Sequence, residues 1–599
     1  MLTPMYIPVK GFLLSILLIC CSNSWGFGKN KVQYENLKWK VISTPHFEIY
    51  HHQEKGDLAQ ISQKFIENAY KKLQNQFIFD RKERLPLILY GTPDLFSQTN
   101  IITEILPEDV GGFTELFKTR IAIPFNGSYN ELRHVLHHEL AHAFVLGIIY
   151  DQKGSNFLFN RVQVPFWFME GSAEFLSSGW DIEADMFMMD QTINSFVPLP
   201  GPALDGYLAY KGGQSFLFFL SSSRGQEAFG KFLHEFRRTR SVENSTRKIY
   251  GKPVEELGKE WVQELKRIYW PEIGRRISPS RNAIAITSHL ETRDHYNLHP
   301  RISPDGSKIA FFSDRKDFTN ILITDRKGKI LQRISQNGYG GYFESFHPFR
   351  SGMCWSPDGS KLAFVTKSGG RDEIRIVGVN EKKLLKKISA SATSLSDPDW
   401  SRCGKKIAFS GITNDGKSDL FVYVFENDSI TRLTNNIQQE SDPRFSPDGK
   451  KLLFSLQDTC GSAHTTTTAF KKAPCELAEI DLLTGEQKIL TSTPWNEIQP
   501  CYSPEGDQIA FISDRNGINN IYIAHVDSLS EAKPLTDYIG GCSNPDWSRE
   551  GDVIVFSLFQ QQGWDIWSID KPLSKLRKDT LSCTRFVEAT YSSTPLFTP

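Results

Sequence analysis

His138, Glu139 and His142 form a His-Glu-x-x-His pattern, and on a helix that spacing assembles most of a metal site. At about 100° per residue the two histidines fall roughly 40° apart on one face, with Glu139 beside them. Two imidazoles bind Zn²⁺ at about 2.0 to 2.1 Å, and a third protein ligand leaves one tetrahedral position for water, whose pKa falls to about 7. Glu139 then stands as general base, and the chemistry is metal-assisted hydrolysis with one zinc as cofactor. His137 cannot replace His138, because Ala141 follows it four residues on and no carboxylate comes next. His134, one turn earlier, could face the same site, although a helix-face histidine without a ligand role is the plainer reading.

The elements that must hold these residues are legible around them. Ser128 and Glu131 stand at capping-box spacing, Leu132, Leu136, Leu140 and Phe144 give an apolar face, and Gly147 is the expected end of the helix. Alternation over 39–51 predicts a strand, 58–76 has helical periodicity, and 85–90 and 120–125 are short apolar strands. Further helices are expected around 229–237 and 254–269.

A second signal follows at Trp167-Phe-Met-Glu170-Gly171-Ser-Ala-Glu174. Glu170 lies in a strongly apolar run, where a glutamate usually needs a cation or metal partner. Together with the His-Glu-x-x-His pattern, this segment resembles the gluzincin zinc metallopeptidases, especially their peptidase MA-like bacterial branch. The resemblance covers roughly residues 38 to 270 and implies an α+β metallopeptidase domain over 27–270. It implies Glu170 as third zinc ligand and Glu174 as the carboxylate that accepts a proton from a ligand histidine and fixes its tautomer. A solvated surface glutamate is the bland alternative for Glu174. Tyr207-Leu-Ala-Tyr210-Lys211-Gly-Gly213 resembles the family's Tyr-x-x-Gly segment, which implies Tyr210 as hydrogen-bond donor to an oxyanion. Tyr207 is the fallback and a packing tyrosine the bland reading, and Lys211 departs from the family by standing directly after the tyrosine. Residues 120–125 stand where the family has its substrate-lining edge strand, on which a peptide would add by main-chain pairing. Gly111-Gly-Phe-Thr-Glu115 matches only loosely the motif with which aminopeptidases hold a free N-terminus, so the resemblance favours an endopeptidase.

Residues 1–26 read as a signal peptide: Lys10, an apolar core over 12–20, then Ser24-Trp25-Gly26. Export to the periplasm, the cell envelope or the medium is expected, and a lipid anchor on Cys20 or Cys21 is the weaker reading because no small residue precedes either. No later run approaches the 18 or so apolar residues of a membrane helix. Lys plus Arg and Asp plus Glu are both 69, so no global field favours nucleic acid. At 599 residues the chain exceeds one core, and at least two domains are expected. Cys460 and Cys475 bracket an insert and are the expected disulfide in an oxidising compartment, whereas Cys354 and Cys501, at matching repeat positions, should be buried core residues.

From about residue 295 a Ser-x-x-Gly turn, Ser-Pro-Asp-Gly in three copies, followed by an apolar strand recurs, with glycines at 306, 359, 404, 449, 506 and 551. Repeats of this length mean propeller blades. The six copies resemble the TolB-like six-bladed β-propeller, giving a multidomain chain with a linker at 271–281 and an all-β propeller over 282–599. The repeated aspartates suit turns better than a calcium loop, lacking its spaced acidic ladder. The ring could close through 283–288 as the outermost strand of the last blade or through 594–599 as an inner strand. By analogy with TolB, the propeller would contact envelope proteins, or it would recruit or gate peptide or protein substrate. The competing reading is a non-catalytic envelope binding or scaffold protein. The two halves are expected to be independent, so that a fragment ending near Trp270 would fold alone.

Overall fold

The computed structural model describes residues 31–53, 56–103, 106–107, 110–115, 118–150, 164–225, 227–315, 318–336, 344–458, 473–592 and 595–597. The signal-peptide segment and Cys460 lie outside the described residues, so the proposed pairing with Cys475 stays a proposal. No helix among the described residues is long and apolar enough to cross a membrane.

The N-terminal half sets helices on a small sheet. Strands β1 (Lys40–Ser43), β2 (Phe47–His51), β3 (Leu85–Tyr90), β4 (Phe113–Thr114) and β5 (Ile121–Pro124) run in the order β1-β2-β3-β5-β4. The inner pairs β2/β3 and β3/β5 are parallel, and β4 closes one edge antiparallel to β5. This corrects the expectation that 120–125 is the edge: β5 is covered on both sides, and the free edge is the two-residue β4, too short to show an alternation. Inward-facing Phe47, Ile49, Leu87, Leu89, Ile121 and Ile123 are fully buried in a core shared with the helices.

Those helices are α1 (Asp57–Phe77), α2 (Pro93–Phe96), α3 (Tyr129–Tyr150), α4 (Phe166–Ser178), α5 (Ile182–Ile193), α6 (Tyr207–Arg224), α7 (Glu227–Thr239), α8 (Val242–Tyr250) and α9 (Val254–Tyr269). Helix α3 does not stop at Gly147. A Cβ there would sit 2.8 Å from Arg81 Nη1 and 3.2 Å from the Phe79 ring, so the glycine provides close approach rather than an end. Arg81 uses that space to donate to the Ala143 carbonyl at 2.8 Å.

The C-terminal half is a β-propeller of six four-stranded blades. In each aspartate turn the chemistry is local: at Ser303-Pro-Asp-Gly306, Gly306 has φ 67°, the Ser303 hydroxyl contacts Asp305 at 2.5 Å, and Lys308 N donates to Ser303 Oγ at 2.9 Å. Closure uses the N-terminal end of the repeat region. Ile284–Ala285 pairs with Gly563–Asp570 as the outer strand of the sixth blade. The alternative closure fails because Leu596 and Phe597 are buried in the N-terminal core, with the Phe597 ring 5.7 Å from both Phe218 and Phe219. Cys354 and Cys501 are buried. Five inner strands carry a bulge that puts His299, Asp397, Asp442, Gln499 or Asn544 at positive φ, a feature with no sequence signature because the residue type varies.

Residues 271–281 are pinned between the halves. They hold a short helix, Glu272–Arg275, and Arg276 is buried against Glu272 at 2.7 Å and Asp537 at 3.1 Å. Ser128 Oγ donates to Gln457 Oε1 at 2.9 Å, Tyr129 OH to the Gly416 carbonyl at 3.3 Å, and Gln561 N to Asp190 Oδ1 at 2.9 Å. The halves therefore share a polar seam as well as the Phe597 anchor.

Candidate metal centre

Helix α3 starts where Ser128 caps it, with Glu131 N donating to Ser128 Oγ at 3.3 Å and Leu132 N to the Ser128 carbonyl at 2.9 Å. Leu136, Leu140 and Phe144 are fully buried, which turns the histidine face toward a cleft of about 1700 Å³. Helix α4 crosses α6 at a glycine pair: a Cβ on Gly213 would lie 2.3 Å from the Trp167 carbonyl oxygen, and one on Gly171 2.5 Å from Gly213 Cα. Only backbone-to-backbone contact permits this crossing, and it sets Glu170 and Glu174 of α4 beside Tyr210 and Lys211 of α6.

Three side chains converge in the cleft. His138 Nε2 and His142 Nε2 are 3.2 Å apart, and Glu170 Oε2 lies 3.3 Å from the first and 3.2 Å from the second. This is a group that could hold a metal ion. Burial alone would lower the His138 imidazole, but Glu170 and Glu174 raise it to about 10; burial raises Glu170, and the two imidazoles bring it down to about 2. The donor set thus stabilises positive charge at its centre.

Glu174 is buried, with Oε1 2.9 Å from His138 Nδ1 and Oε2 2.9 Å from Lys211 Nζ. Lys211 is buried as well. Burial opposes its charge, yet Glu183, Glu174 and Asp181 hold it well above the ordinary lysine value. His134 reaches the same carboxylate, 3.4 Å from Glu174 Oε1, while its Nδ1 sits 2.8 Å from Ser178 Oγ. His134 is marked by its position one turn before His138, whereas Lys211 is not singled out by spacing along the chain. The readable sign was the lysine's departure from the family pattern, since a cation in an apolar helix needs a carboxylate.

Glu139 is buried beside edge strand β4, where Thr114 Oγ1 lies 2.7 Å from its Oε2 and 2.8 Å from its backbone carbonyl. The Tyr210 ring stacks on His138 at 6.2 Å between centroids, and burial, then Glu170 and Glu139, push its phenol above the ordinary value. Tyr207 lines the same cleft but its hydroxyl donates to Glu183 Oε1 at 2.5 Å. Glu115 of the loosely matched aminopeptidase motif accepts from Arg120 Nε at 2.9 Å.

Fold and site together define a two-part chain: a helical half whose His-Glu-x-x-His helix contributes to a group that could hold a metal ion, and a β-propeller. Residues 345–465 match the TolB beta propeller domain family. A stretch of 87 residues is 37% identical to YuxL of Bacillus subtilis (strain 168), described as an uncharacterized peptidase; it spans 14% of this chain and only 13% of that relative. Among solved structures, a putative TolB from Agrobacterium tumefaciens is similar at 18% identity and a TM-score of 0.35, covering 46% of this chain and 90% of its own. TolB from Acinetobacter baumannii is similar at 17% identity and 0.33, covering 53% and 71%. An oligogalacturonate lyase in complex with manganese gives 12% and 0.35, covering 49% and 93%.

Proposed function

We propose that this chain is an exported zinc metallopeptidase of gluzincin type that hydrolyses internal peptide bonds, with the propeller as its recognition module. One observation carries the reading. Three donors of a tetrahedral zinc bound at about 2.05 Å stand about 3.3 Å apart. The His138, His142 and Glu170 donor atoms are separated by 3.2, 3.3 and 3.2 Å. These three residues would hold the ion, which when bound supplies a Lewis acid for the scissile carbonyl and acidifies a water.

The chain's own groups perform the rest. Glu139, held by Thr114, takes the proton of the attacking water and passes it to the leaving amine. Tyr210 donates a hydrogen bond to the oxyanion as it forms. Glu174 accepts the His138 Nδ1 proton, which leaves Nε2 facing the ion, and Lys211 and His134 fix that carboxylate. The β4 edge offers main-chain groups to an extended peptide. The alternative, a non-catalytic envelope binding protein, draws its support from the TolB family match.

Metal analysis is expected to give about one zinc per chain, lost in a double variant Glu170→Ala, His142→Ala. Glu139→Gln should keep the metal and lose cleavage of a diverse peptide library. Wild-type protein with zinc bound that cleaves no peptide, yet captures a stoichiometric envelope protein, would transfer the function to the propeller.

A further inference from the structure

The lining of the cleft is divided by charge along the metal-bearing helix. Glu131, His134, Val135, His138, Glu139, His142, Leu146 and Tyr150 all face it, so the cleft runs parallel to α3. From Glu131 to Tyr150 the helix rises about 28 Å, the span of roughly eight residues of extended chain. Toward the start of α3 the walls carry Glu131, Asp181, Glu183 and Asp205; the lysine there, Lys211, bonds Glu174 at 2.9 Å and is also held charged by Glu183 and Asp181, so one cation is set among these carboxylates. Toward its end, among the described residues, the walls carry Leu146, Tyr150, Val164, Phe166 and Met169. At the acidic end two cavities share part of their lining. Glu131, Asp181 and Glu183 also line a second cavity of about 1280 Å³, whose far wall is the propeller at Gln439, Trp495 and Ile498, with Lys72 and Asp514 as further charged groups.

We infer that the substrate is an extended polypeptide with Lys or Arg on one side of the scissile bond and apolar residues on the other, its basic arm continuing beneath the propeller. The inference rests on the peptidase reading. Carboxylates in a low-dielectric cleft concentrate cationic side chains, and the second cavity against the same carboxylates offers room for a chain that continues past the site. The acids also have local duties. Asp181 caps α5 through Ala184 N, Asp205 accepts from Gly206 N, and Glu183 accepts from Tyr207. Each retains unused acceptor capacity as a carboxylate.

The test uses two labelled ten-residue peptides, identical except for Lys or Glu at the positions two to four residues from an apolar stretch, made in both chain polarities. For zinc-loaded full-length protein, kcat/KM for the Lys peptide is expected to exceed that for the Glu peptide by about tenfold or more. The ratio should fall to about threefold in Glu131→Gln, Glu183→Gln, and should shrink as salt is raised. The same peptides bound to zinc-loaded Glu139→Gln, followed by fluorescence anisotropy, should show the same order. Equal or reversed preference in both assays overturns the inference and leaves the hydrolysis reading standing. Binding with the expected preference but no cleavage by wild type refutes the hydrolysis reading while the charge-divided cleft survives.

Discussion

The crossing of α4 and α6 gives the most exposed test, because two adjacent glycines should respond oppositely to the same substitution. A methyl group at Gly213 lands 2.3 Å from the Trp167 carbonyl oxygen and 2.9 Å from Gly171 Cα, both backbone atoms. Carbon-to-oxygen contacts settle near 3.3 Å, so the helices must part by about 1 Å. Overpacking of that kind costs up to about 3 kcal/mol, and alanine for glycine in a helix returns about 1, leaving a loss of about 2 kcal/mol. For a cooperative unit of this size that lowers Tm by about 4 to 8 °C. The displacement also separates Tyr210 and Lys211 from Glu170 and Glu174, and about 1 Å at a catalytic constellation costs about 10²-fold in rate. At Gly212 the same methyl meets Leu204 Cδ2 at 2.8 Å and Leu208 Cδ1 at 3.3 Å, the ends of side chains that can turn away. Gly212→Ala should therefore stay within about 0.5 kcal/mol of wild type. Thermal unfolding by circular dichroism and zinc affinity by competition with a chromophoric chelator read both variants. A Gly213→Ala protein with wild-type Tm and zinc affinity would refute the reasoning, as would a Gly212→Ala protein that is equally damaged.

Three further outcomes follow from the same structure. Lys211→Met removes the partner of a carboxylate that is itself buried, and should cost about 3 to 5 kcal/mol and lower zinc affinity about 10- to 100-fold; adding Glu174→Gln should recover part of the stability loss, and strict additivity would argue against the pair. Phe597→Ala should destabilise the N-terminal half by about 3 to 5 kcal/mol, a loss that unfolding followed by Trp fluorescence would reveal and whose absence would contradict the packing on Phe218 and Phe219. His289 bonds Asp565 at 2.6 Å where the ring closes; burial opposes its charge but Asp565 raises the imidazole above its ordinary 6.5. Because the folded value is the higher one, the protonated pair contributes fully below about pH 6.5 and its contribution is lost as pH rises through the folded value. The Tm gap between wild type and His289→Gln should thus be widest near pH 5.5 and shrink as pH rises through the folded value, and a pH-independent gap would contradict the pairing.

What could be read along the chain was local or repeated. His138 and His142 meet because four residues make about one helical turn, and the blades are visible because the glycine of each Ser-x-x-Gly turn takes the same positive φ. Contacts between distant segments carry no such mark. Lys211 and Glu174 are joined only because Gly171 and Gly213 let two helices touch, and β4 is defined by its pairing with β5 rather than by a pattern of its own. Arg276 in its basic run looks like a solvated linker residue, whereas Asp537 from the fifth blade takes it out of water. The same blindness makes the independence of the halves a poor expectation: nothing in Thr-Pro-Leu-Phe-Thr-Pro announces that Phe597 belongs to the other half's core.

That last contact also orders events in time. Phe218 and Phe219 leave the ribosome roughly 380 residues before Phe597, an interval of about 20 to 75 s at ordinary elongation rates. Throughout it the N-terminal core lacks one of its walls, and until Gly563–Asp570 is made the sixth blade waits with its outer strand complete and its inner three not. The N-terminal half is therefore completed by a segment that follows the propeller in the chain. A chain cut short anywhere in the propeller displays unsealed aromatic surface on that half, which marks it for chaperones and degrading enzymes before its cleft is finished.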